Sequence, residues 1–384
     1  MKTQKNRKRN KLFALLMTGI LCLCLFAGCG QASVDGTEGE TSLETTTDSE
    51  TTVDMQTPAT DETNEAAVDT TAETDVMEET TSMETDETPL RVGSLKGPTT
   101  MGLVELMKRS EEGQTNLNYE FTMETAPDTI LGSMMQGNLD IALVPANVAA
   151  TLYQRSEGAI CVIDINTLGV IYLVSGDDSI TTMQDLIGKT VYVVGRGTTP
   201  DYALQYLLAQ NNIDASELTI EYKSEAAEVA AILAENPDAI GLLPQPFVTA
   251  ACMQNEALSV VLDMTQEWNA VTEDGSMLVT GVTVVRREYL EEHPGNVLAF
   301  MQDHETSATF ANTNVPEAAA YVAEYGIVEK APVAEAAMPN CNITYIDGEE
   351  MKLALQGYLN VLYGLNPDSV GGNVPGEDFY YIYE

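Results

Sequence analysis

A pattern of short strands, helices and loops that occurs twice in the chain most constrains the fold. The interval from a threonine-containing loop to a proline that ends a buried strand is 46 positions in both copies, at 99–145 and at 198–244. Within each interval the sequence predicts a helix, a strand, a second helix and a buried strand. Alternating strands and helices predict parallel strands joined by right-handed crossovers. We therefore expect an α/β protein with two similar lobes.

The expected elements place two sets of loops at one edge of each lobe. Ligands of such sheets bind beyond the carboxyl ends of the strands, and sites between lobes allow hinge closure. Strands are expected at 91–95, 119–123, 140–144, 190–194, 218–222 and 239–243, and helices at 101–109, 128–136, 202–209 and 226–234.

The first 29 residues predict export and lipidation. Six basic residues lie within positions 2–11, and the run 12–28 carries no charge, which together predict a signal peptide over 1–28. The ending Phe26-Ala27-Gly28-Cys29 resembles the lipobox of bacterial lipoproteins, with Phe26 where that motif prefers Leu. We therefore predict lipidation of Cys29 and anchoring on the outer face of the cell membrane. A plain anchor helix and simple secretion are the alternatives.

The segment 29–88 is predicted to be a disordered acidic tether. Residues 31–88 contain 18 Asp or Glu, no Lys or Arg and no aromatic residue, and the remainder is mostly Thr, Ser, Ala and Gly. Such a composition buries too little apolar surface to offset chain entropy. We interpret the segment as a spacer, with a cation-binding tail as the alternative.

The charge and cysteine content of residues 89–384 exclude two classes of protein. The whole chain has 18 basic and 59 acidic residues, and this part keeps a net charge of −29. Nucleic acid is therefore not an expected partner, since phosphate binding relies on Lys and Arg. The three cysteines, Cys161, Cys252 and Cys341, are too few and odd in number for a disulfide framework. We expect buried thiols, with one bridged pair as the alternative.

Two matched glycine–threonine loops carry the binding hypothesis. The first amides of a helix are unpaired and partly positive, threonine is a frequent N-cap, and glycine lets a backbone approach a ligand closely. Ordinary helix caps are the alternative. The predicted ligand-binding residues of these loops are Gly97, Thr99, Thr100, Gly197, Thr198 and Thr199.

A basic residue precedes the glycine in both loops. Lys96 and Arg196 occupy these matched positions, although residues 89–384 contain only 12 basic residues. The pair suggests a ligand with a carboxylate, sulfonate or phosphate group. An ion pair between the lobes or plain surface charge is the alternative.

Further ligand-binding residues are predicted in the second pair of loops and between the lobes. Pro145 and Asn147 follow one buried strand, and Gln245 follows its counterpart; both amides could bond a polar ligand or cap a helix. Thr167 lies between two strand-like runs, near an expected crossing between lobes. Trp268, the only tryptophan, could form a lid over the ligand or pack at the surface.

Sequence signals for catalysis, metals and cofactors are weak. His293 and His304, the only histidines, are 11 positions apart, and no HExxH or GxSxG motif is present. Gly195-x-Gly197-x-x-Pro200 resembles a dinucleotide fingerprint, but Pro200 stands at the third glycine position. We predict no catalytic residue, no metal site and no cofactor, so the chain is expected not to be an enzyme.

Residues 90–337 resemble the solute-binding proteins of ABC importers, in the NMT1/THI5-like or SsuA-like branch. The resemblance rests on the order and spacing of four runs, the first of which supplies Ser94 as a further predicted ligand-binding residue. These runs are Arg91-Val92-Gly93-Ser94-Leu95-Lys96-Gly97, Asp140-Ile141-Ala142-Leu143-Val144-Pro145, Asp185-Leu186-Ile187-Gly188-Lys189-Thr190-Val191 and the segment 284–294.

The resemblance implies a two-lobed periplasmic-binding-protein-like fold of type II. It implies crossings near 175–180 and 280–285, with lobe 1 over 89–177, lobe 2 over 178–280 and a return to lobe 1 over 281–384. It also implies a monomer that delivers a sulfonate, a nitrate-like anion or a thiamine pyrimidine precursor to ABC permease subunits. A tethered sensor ectodomain is the first alternative, and a pyrimidine-synthase-like enzyme is the second.

Overall fold

The computed structural model describes residues 88–383. The predicted signal peptide, Cys29 and the tether as far as Glu87 lie outside these residues. The strands are β1 (Leu90–Leu95), β2 (Tyr119–Glu124), β3 (Ile141–Pro145), β4 (Ile160–Leu168), β5 (Ile171–Ser175), β6 (Thr190–Val194), β7 (Thr219–Lys223), β8 (Ile240–Pro244), β9 (Ser259–Asp263), β10 (Val279–Arg286) and β11 (Ile343–Ile346).

Helices cover both faces of the strands. The helices are α1 (Pro98–Met101), α2 (Val104–Glu111), α3 (Pro127–Met135), α4 (Ala146–Arg155), α5 (Thr199–Gln210), α6 (Ala226–Glu235), α7 (Phe247–Gln254), α8 (Met264–Val271), α9 (Arg287–Glu292), α10 (Pro294–Thr313), α11 (Val315–Glu324), α12 (Ala331–Ala337) and α13 (Gly348–Leu365). Short 3₁₀ helices complete the described chain.

The strands form two mixed sheets, which confirms the α/β prediction. The first sheet has the order β11-β4-β10-β3-β1-β2, and the second has the order β7-β6-β8-β5-β9. We call the first sheet with its helices lobe 1 and the second sheet with its helices lobe 2. In both, one antiparallel strand (β10 or β5) lies between strands of the repeat.

The two sheets repeat one plan at a constant offset of 99 residues. Val92 pairs with Ile141 in lobe 1, and Val191 pairs with Ile240 in lobe 2. The pairing of Arg91 with Glu120 likewise has its counterpart in Thr190 and Thr219. The observed register therefore agrees with the duplication expected from loop spacing.

Each lobe receives one strand from the other half of the repeat. The chain leaves β4 in the first sheet and enters the second as β5, and it leaves β9 in the second and returns as β10. The first passage thus lies between Leu168 and Ile171, earlier than the expected 175–180, and the second lies within 264–278, before the expected 280–285. The first crossing was predicted too far along the chain because the apolar run 171–175 was assigned to lobe 1. In the structure this run is β5, which pairs with β8 of lobe 2.

An apolar core continues from one lobe into the other. It joins β10 side chains such as Val282 to lobe 2 side chains such as Leu207, with Tyr358 of α13 and Trp268 of α8 in the same cluster. Within residues 88–383 no helix is both long and apolar enough to cross a membrane. The cysteines within residues 88–383 are free thiols: Cys161 and Cys341 are buried and Cys252 is half-buried. Burial raises the pKa of both buried thiols to about 12.

Candidate functional site

The carboxyl ends of the repeat strands meet across a short connection between the lobes. Only Gly169 and Val170 separate β4 from β5, so Thr167 and Ile171 lie at most about 14 Å apart. The Tyr172 hydroxyl donates to the carbonyl of Asn340 at 2.8 Å, and Asn342 donates to the carbonyl of Gly169. These two bonds hold the segment 340–342 of lobe 1 against the connection and against β5 of lobe 2.

The threonine hydroxyls of the matched loops bond to strand ends. Thr99 donates to the Leu95 carbonyl at 3.0 Å, and Thr198 donates to the Val194 carbonyl at 3.1 Å, which is the same bond in both copies. Thr100 also donates to Leu95. None of these hydroxyls caps the following helix, contrary to the capping role that the sequence suggested. The hydroxyls fix the loop shape, and the backbone is what the loops present.

Both matched glycines have backbone conformations that other residues rarely adopt. The φ angle is +143° at Gly97 and +72° at Gly197. Gly97 has open space where a side chain would begin, and Gly197 faces only the Tyr202 hydroxyl at 3.5 Å. The structure does not crowd these two positions, which leaves room for a ligand against the backbone.

The two matched cations differ in how they are held. Both residues are exposed, and the Arg196 guanidinium in addition lies 4.1 Å above the ring centre of Tyr222. Tyr222 donates to Asp201 at 2.7 Å, and the same carboxylate accepts the Gly197 N–H at 2.7 Å. Burial first, and then the bond to Asp201, raises the pKa of Tyr222 to about 12. Within residues 88–383 neither Lys96 nor Arg196 forms an ion pair.

The second pair of loops is built into the sheets. Pro145 pairs with Gly281 of β10, and the half-buried Asn147 accepts a bond from Thr151 through its carbonyl. Gln245 is 3% exposed, and its side-chain oxygen accepts the Thr249 hydroxyl at 2.8 Å at the start of α7. The Gln245 oxygen therefore accepts from both the N–H and the hydroxyl of Thr249 in the first turn of α7.

Polar side chains of β4 and β10 form the floor of lobe 1 between the loops. Thr167 is fully buried and donates to the Asn166 side chain at 2.9 Å. A side chain at Gly281 would collide with Asn166 and with Thr99, whose methyl carbon would be 2.5 Å away. The structure thus brings together Thr99, Thr167 and the Pro145 strand end. Ser94 is 4% exposed on the neighbouring β1.

Trp268 is buried and does not form a lid. Its side chain has no exposed surface, and its ring centre lies 4.3 Å from that of Tyr206 and 5.7 Å from that of Tyr358. Tyr358 is also hydrogen-bonded to the Thr199 side chain. The tryptophan therefore belongs to the packing between α5, α8 and α13 rather than to the ligand-facing surface.

A cavity of about 550 Å³ adjoins the Gln245 loop and is lined from both lobes. Lobe 2 contributes Tyr172, Gln245, Asp263 and Gln266, and lobe 1 contributes Asn340. This volume is within the range of pockets that hold small molecules. Within residues 88–383 no cluster of three or more His, Cys, Asp or Glu side chains is arranged to hold a metal ion.

Sequence reasoning missed two polar groups at this place. The Thr280 hydroxyl, at the start of β10, is buried and has no hydrogen-bond partner within the described chain. Asn366, just after α13, donates to Tyr202 of α5 at 3.0 Å and links the lobes. The alternation of polar and apolar residues at 279–284 could have indicated Thr280, but nothing local in the sequence relates Asn366 to α5.

Comparison with known families gives one match that covers most of the chain. A family model described as menaquinone biosynthesis matches residues 90–363. The chain belongs to the menaquinone biosynthesis family. The NMT1/THI5-like family that the sequence resembles is a different family, and that assignment stays a prediction. No curated protein sequence matches this member of the menaquinone biosynthesis family.

Solved structures share the fold of this menaquinone biosynthesis family member. An ABC transporter from Parabacteroides distasonis is 22% identical with a TM-score of 0.65, over 77% of this chain and 99% of that chain. The periplasmic aliphatic sulphonate binding protein SsuA from Escherichia coli is 17% identical with a TM-score of 0.61, over 77% and 92%. SsuA from Xanthomonas axonopodis, bound to MOPS, is 15% identical with a TM-score of 0.53, over 75% and 94%. At these identities the likeness establishes the fold.

Proposed function

We propose that this protein is an extracytoplasmic solute-binding lipoprotein of an ABC importer, which captures a small anionic solute between its lobes. The observation that carries the proposal is the matched pair of loops, each with a positive-φ glycine, a preceding unpaired cation and a strand-bonded threonine. The export signal, Cys29 and the tether support a position outside the membrane. Structures of the same fold include proteins described as sulphonate-binding, one with bound MOPS.

In the proposed mechanism the solute enters an open cleft and contacts loops from both lobes. Backbone N–H groups of the two loops, other than those of Gly197 and Thr198, which already bond to Asp201 and Gly195, donate hydrogen bonds to the anionic group, and Lys96 and Arg196 add charge. The bound solute stabilises the closed arrangement, which the permease subunits then recognise. The stacking of Arg196 on Tyr222 holds the guanidinium in place before the solute arrives, so less conformational entropy is lost on binding.

A thermal-shift screen followed by calorimetry tests this function. MOPS, sulfate, nitrate, phosphate, amino acids and pyrimidines are suitable probes, and a ligand at 100 times its Kd adds about 2.7 kcal/mol of stability. Arg196→Ala should weaken binding of the best probe by about 1.5–3 kcal/mol, since a charged hydrogen bond is lost. Arg155→Ala, at the exposed end of α4, is the control and should leave the affinity unchanged. Equal affinity in Arg196→Ala and wild type would remove Arg196 from the site.

An enzyme of menaquinone biosynthesis is the second candidate, because the family match carries that description. The two functions differ in what happens to the bound molecule. Incubation of the protein with a metabolite extract, followed by mass spectrometry, separates them: a binding protein returns its ligand unchanged, whereas an enzyme depletes it. A tethered sensor would bind without turnover and would be encoded beside a signalling kinase rather than a permease and an ATPase.

A further inference from the structure

A chain of hydrogen bonds crosses the interior of lobe 1 behind the proposed site. Its centre is Asp164 of β4, which accepts the Thr283 hydroxyl at 2.7 Å and contacts Nδ1 of His304 at 3.2 Å. All three side chains have no exposed surface. The Nδ1 atom of His304 and Oδ2 of Asp164 lie within hydrogen-bonding distance of each other.

The chain continues from Thr283 to the edge of the sheet that faces lobe 2. Asn166 donates to the Thr283 hydroxyl at 3.1 Å, and Thr167 donates to Asn166 at 2.9 Å. Thr167 stands next to Leu168, where the connection to lobe 2 begins. In every bond of this series the donor lies on the side away from Asp164. The Asp164 carboxylate is therefore the final acceptor, and it orders the whole series of hydrogen bonds.

The other side of His304 faces the glycine–threonine loop of lobe 1. Its Nε2 atom is buried, has no hydrogen-bond partner within residues 88–383, and lies 3.8 Å from the position of a side chain at Gly102. Gly102 ends α1, the turn that contains Thr99 and Thr100. Phe300 and Tyr345 flank the imidazole with ring centres 5.5 and 5.7 Å away. His304 is thus wedged against the back of α1.

A buried carboxylate is costly unless every partner is in place, and apolar residues of similar size would usually serve packing as well. We propose that His304, Asp164 and Thr283 are positioning residues, which hold the α1 loop and the end of β4 in the geometry that binds the solute. This inference rests on the proposed function. The equivalent loop of lobe 2 is ordered instead by Asp201, which bonds Gly197 and Tyr222 directly.

Thr283→Val removes the central hydroxyl at nearly constant volume and separates Asn166 from Asp164. Thr283→Ser keeps the hydroxyl and should restore wild-type behaviour. Thr306→Val, on the exposed side of α10, is the control. Hydrogen–deuterium exchange of the folded protein should become about tenfold faster in Thr283→Val at 95–103 and 164–170 and stay unchanged at 194–203. Affinity for MOPS should fall about tenfold, with Thr283→Ser within about threefold of wild type.

Two results would overturn the inference. One is unchanged exchange at 95–103 and 164–170, and the other is local loosening without any loss of MOPS affinity. If wild-type protein binds neither MOPS nor the other anions, the proposed function fails, and the exchange pattern alone decides whether the chain of bonds orders these segments. If Thr283→Val does not fold, Thr167→Val removes only the outermost bond and is expected to loosen 164–170 and weaken binding in the same way.

Discussion

At the scale of single residues, the best-paired charge of the described chain lies far from the site. Asp140, just before β3, is 1% exposed and accepts bonds from Arg91 at 2.8 Å and from Arg286 at 3.0 Å. Burial alone raises the pKa of Asp140, but the bonds from the two guanidinium groups outweigh burial and lower it below its ordinary value of 3.8. Asp140 therefore ties the starts of β1 and β3 to the end of β10.

Asp140→Asn should destabilise the protein by about 2 kcal/mol at pH 7, because two guanidinium groups lose their shared partner and both keep some solvent contact. A lowered pKa in the folded protein means that the stabilisation is complete above the unfolded pKa of about 3.9 and is lost as the pH falls further. The difference in the free energy of unfolding between Asp140→Asn and wild type, measured in urea, should therefore decrease below about pH 4. Asp178→Asn, in an exposed turn, is the control. A gap independent of pH would contradict this assignment.

Gly281→Ala should destabilise the fold by about 1–3 kcal/mol, because its methyl group would overlap Asn166 and Thr99. Gly364→Ala makes a matched comparison, since no atom lies within 4 Å of its new methyl group and α13 would gain helix propensity. The second variant should be neutral or up to about 1 kcal/mol more stable in urea unfolding. The reverse order of stabilities would show that the floor of lobe 1 is not packed as described.

Sequence reasoning located the loops better than it assigned their side chains. Spacing and residue type were enough to identify Thr99 and Thr198 as equivalent positions in the two copies of the repeat. Their hydroxyls nevertheless bond to Leu95 and Val194 carbonyls, and a sequence does not specify which of several nearby acceptors a threonine will take. Trp268 looked polar in its local context, but its partners Tyr206 and Tyr358 are distant in the chain.

At the scale of elements, α13 joins the two lobes alongside the hinge. Gly357 allows Ser276 of the second connection to approach closely, and Tyr358 reaches both Trp268 and Thr199 of lobe 2. Asn366 adds a bond to Tyr202. A helix that also contacts β4 and β10 of lobe 1 therefore packs along the second lobe.

Tyr358→Ala should cost about 3–5 kcal/mol, because it leaves a cavity beside a fully buried tryptophan. Tyr363→Ala, on the same helix but 38% exposed, should change stability by no more than about 0.5 kcal/mol. Trp268 is the only tryptophan, so its emission should shift to longer wavelength in the first variant alone. Equal effects in both variants would indicate that α13 is not anchored through Tyr358.

The helices and strands of the repeat were predictable because their periodicity is local. The helices expected at 128–136 and 226–234 correspond to α3 and α6, each within one residue at both ends. The exchange of β5 and β10 between the sheets was not predictable from the sequence, since their pairing depends on contacts between residues more than 60 positions apart. The helix expected at 101–109 is interrupted at Gly102 and Leu103, where Ile343, Ala308 and His304 lie against Gly102.

At the scale of the whole molecule, the repeat gives two similar sheets, and each sheet takes up one strand that follows the other half of the repeat. The constant offset of 99 residues makes Thr99 and Thr198 equivalent, whereas Gly97 and Gly197 are 100 residues apart and therefore lie one position out of register with each other. The proposed function requires a solute that contacts loops of both lobes, which would link binding to the relative position of the lobes. The different residues behind the two loops, His304 and Asp164 in one and Asp201 in the other, allow the two halves to contact different parts of a solute.

Hydrogen–deuterium exchange with and without a saturating ligand, either MOPS or the anion with the largest thermal shift, tests the central claim most directly. The account predicts that ligand slows exchange at the same time in 95–103 of lobe 1 and 194–203 of lobe 2, with little change in the outer helices α6 and α11. Protection confined to one lobe, or located away from both loops, would contradict a solute site between the lobes.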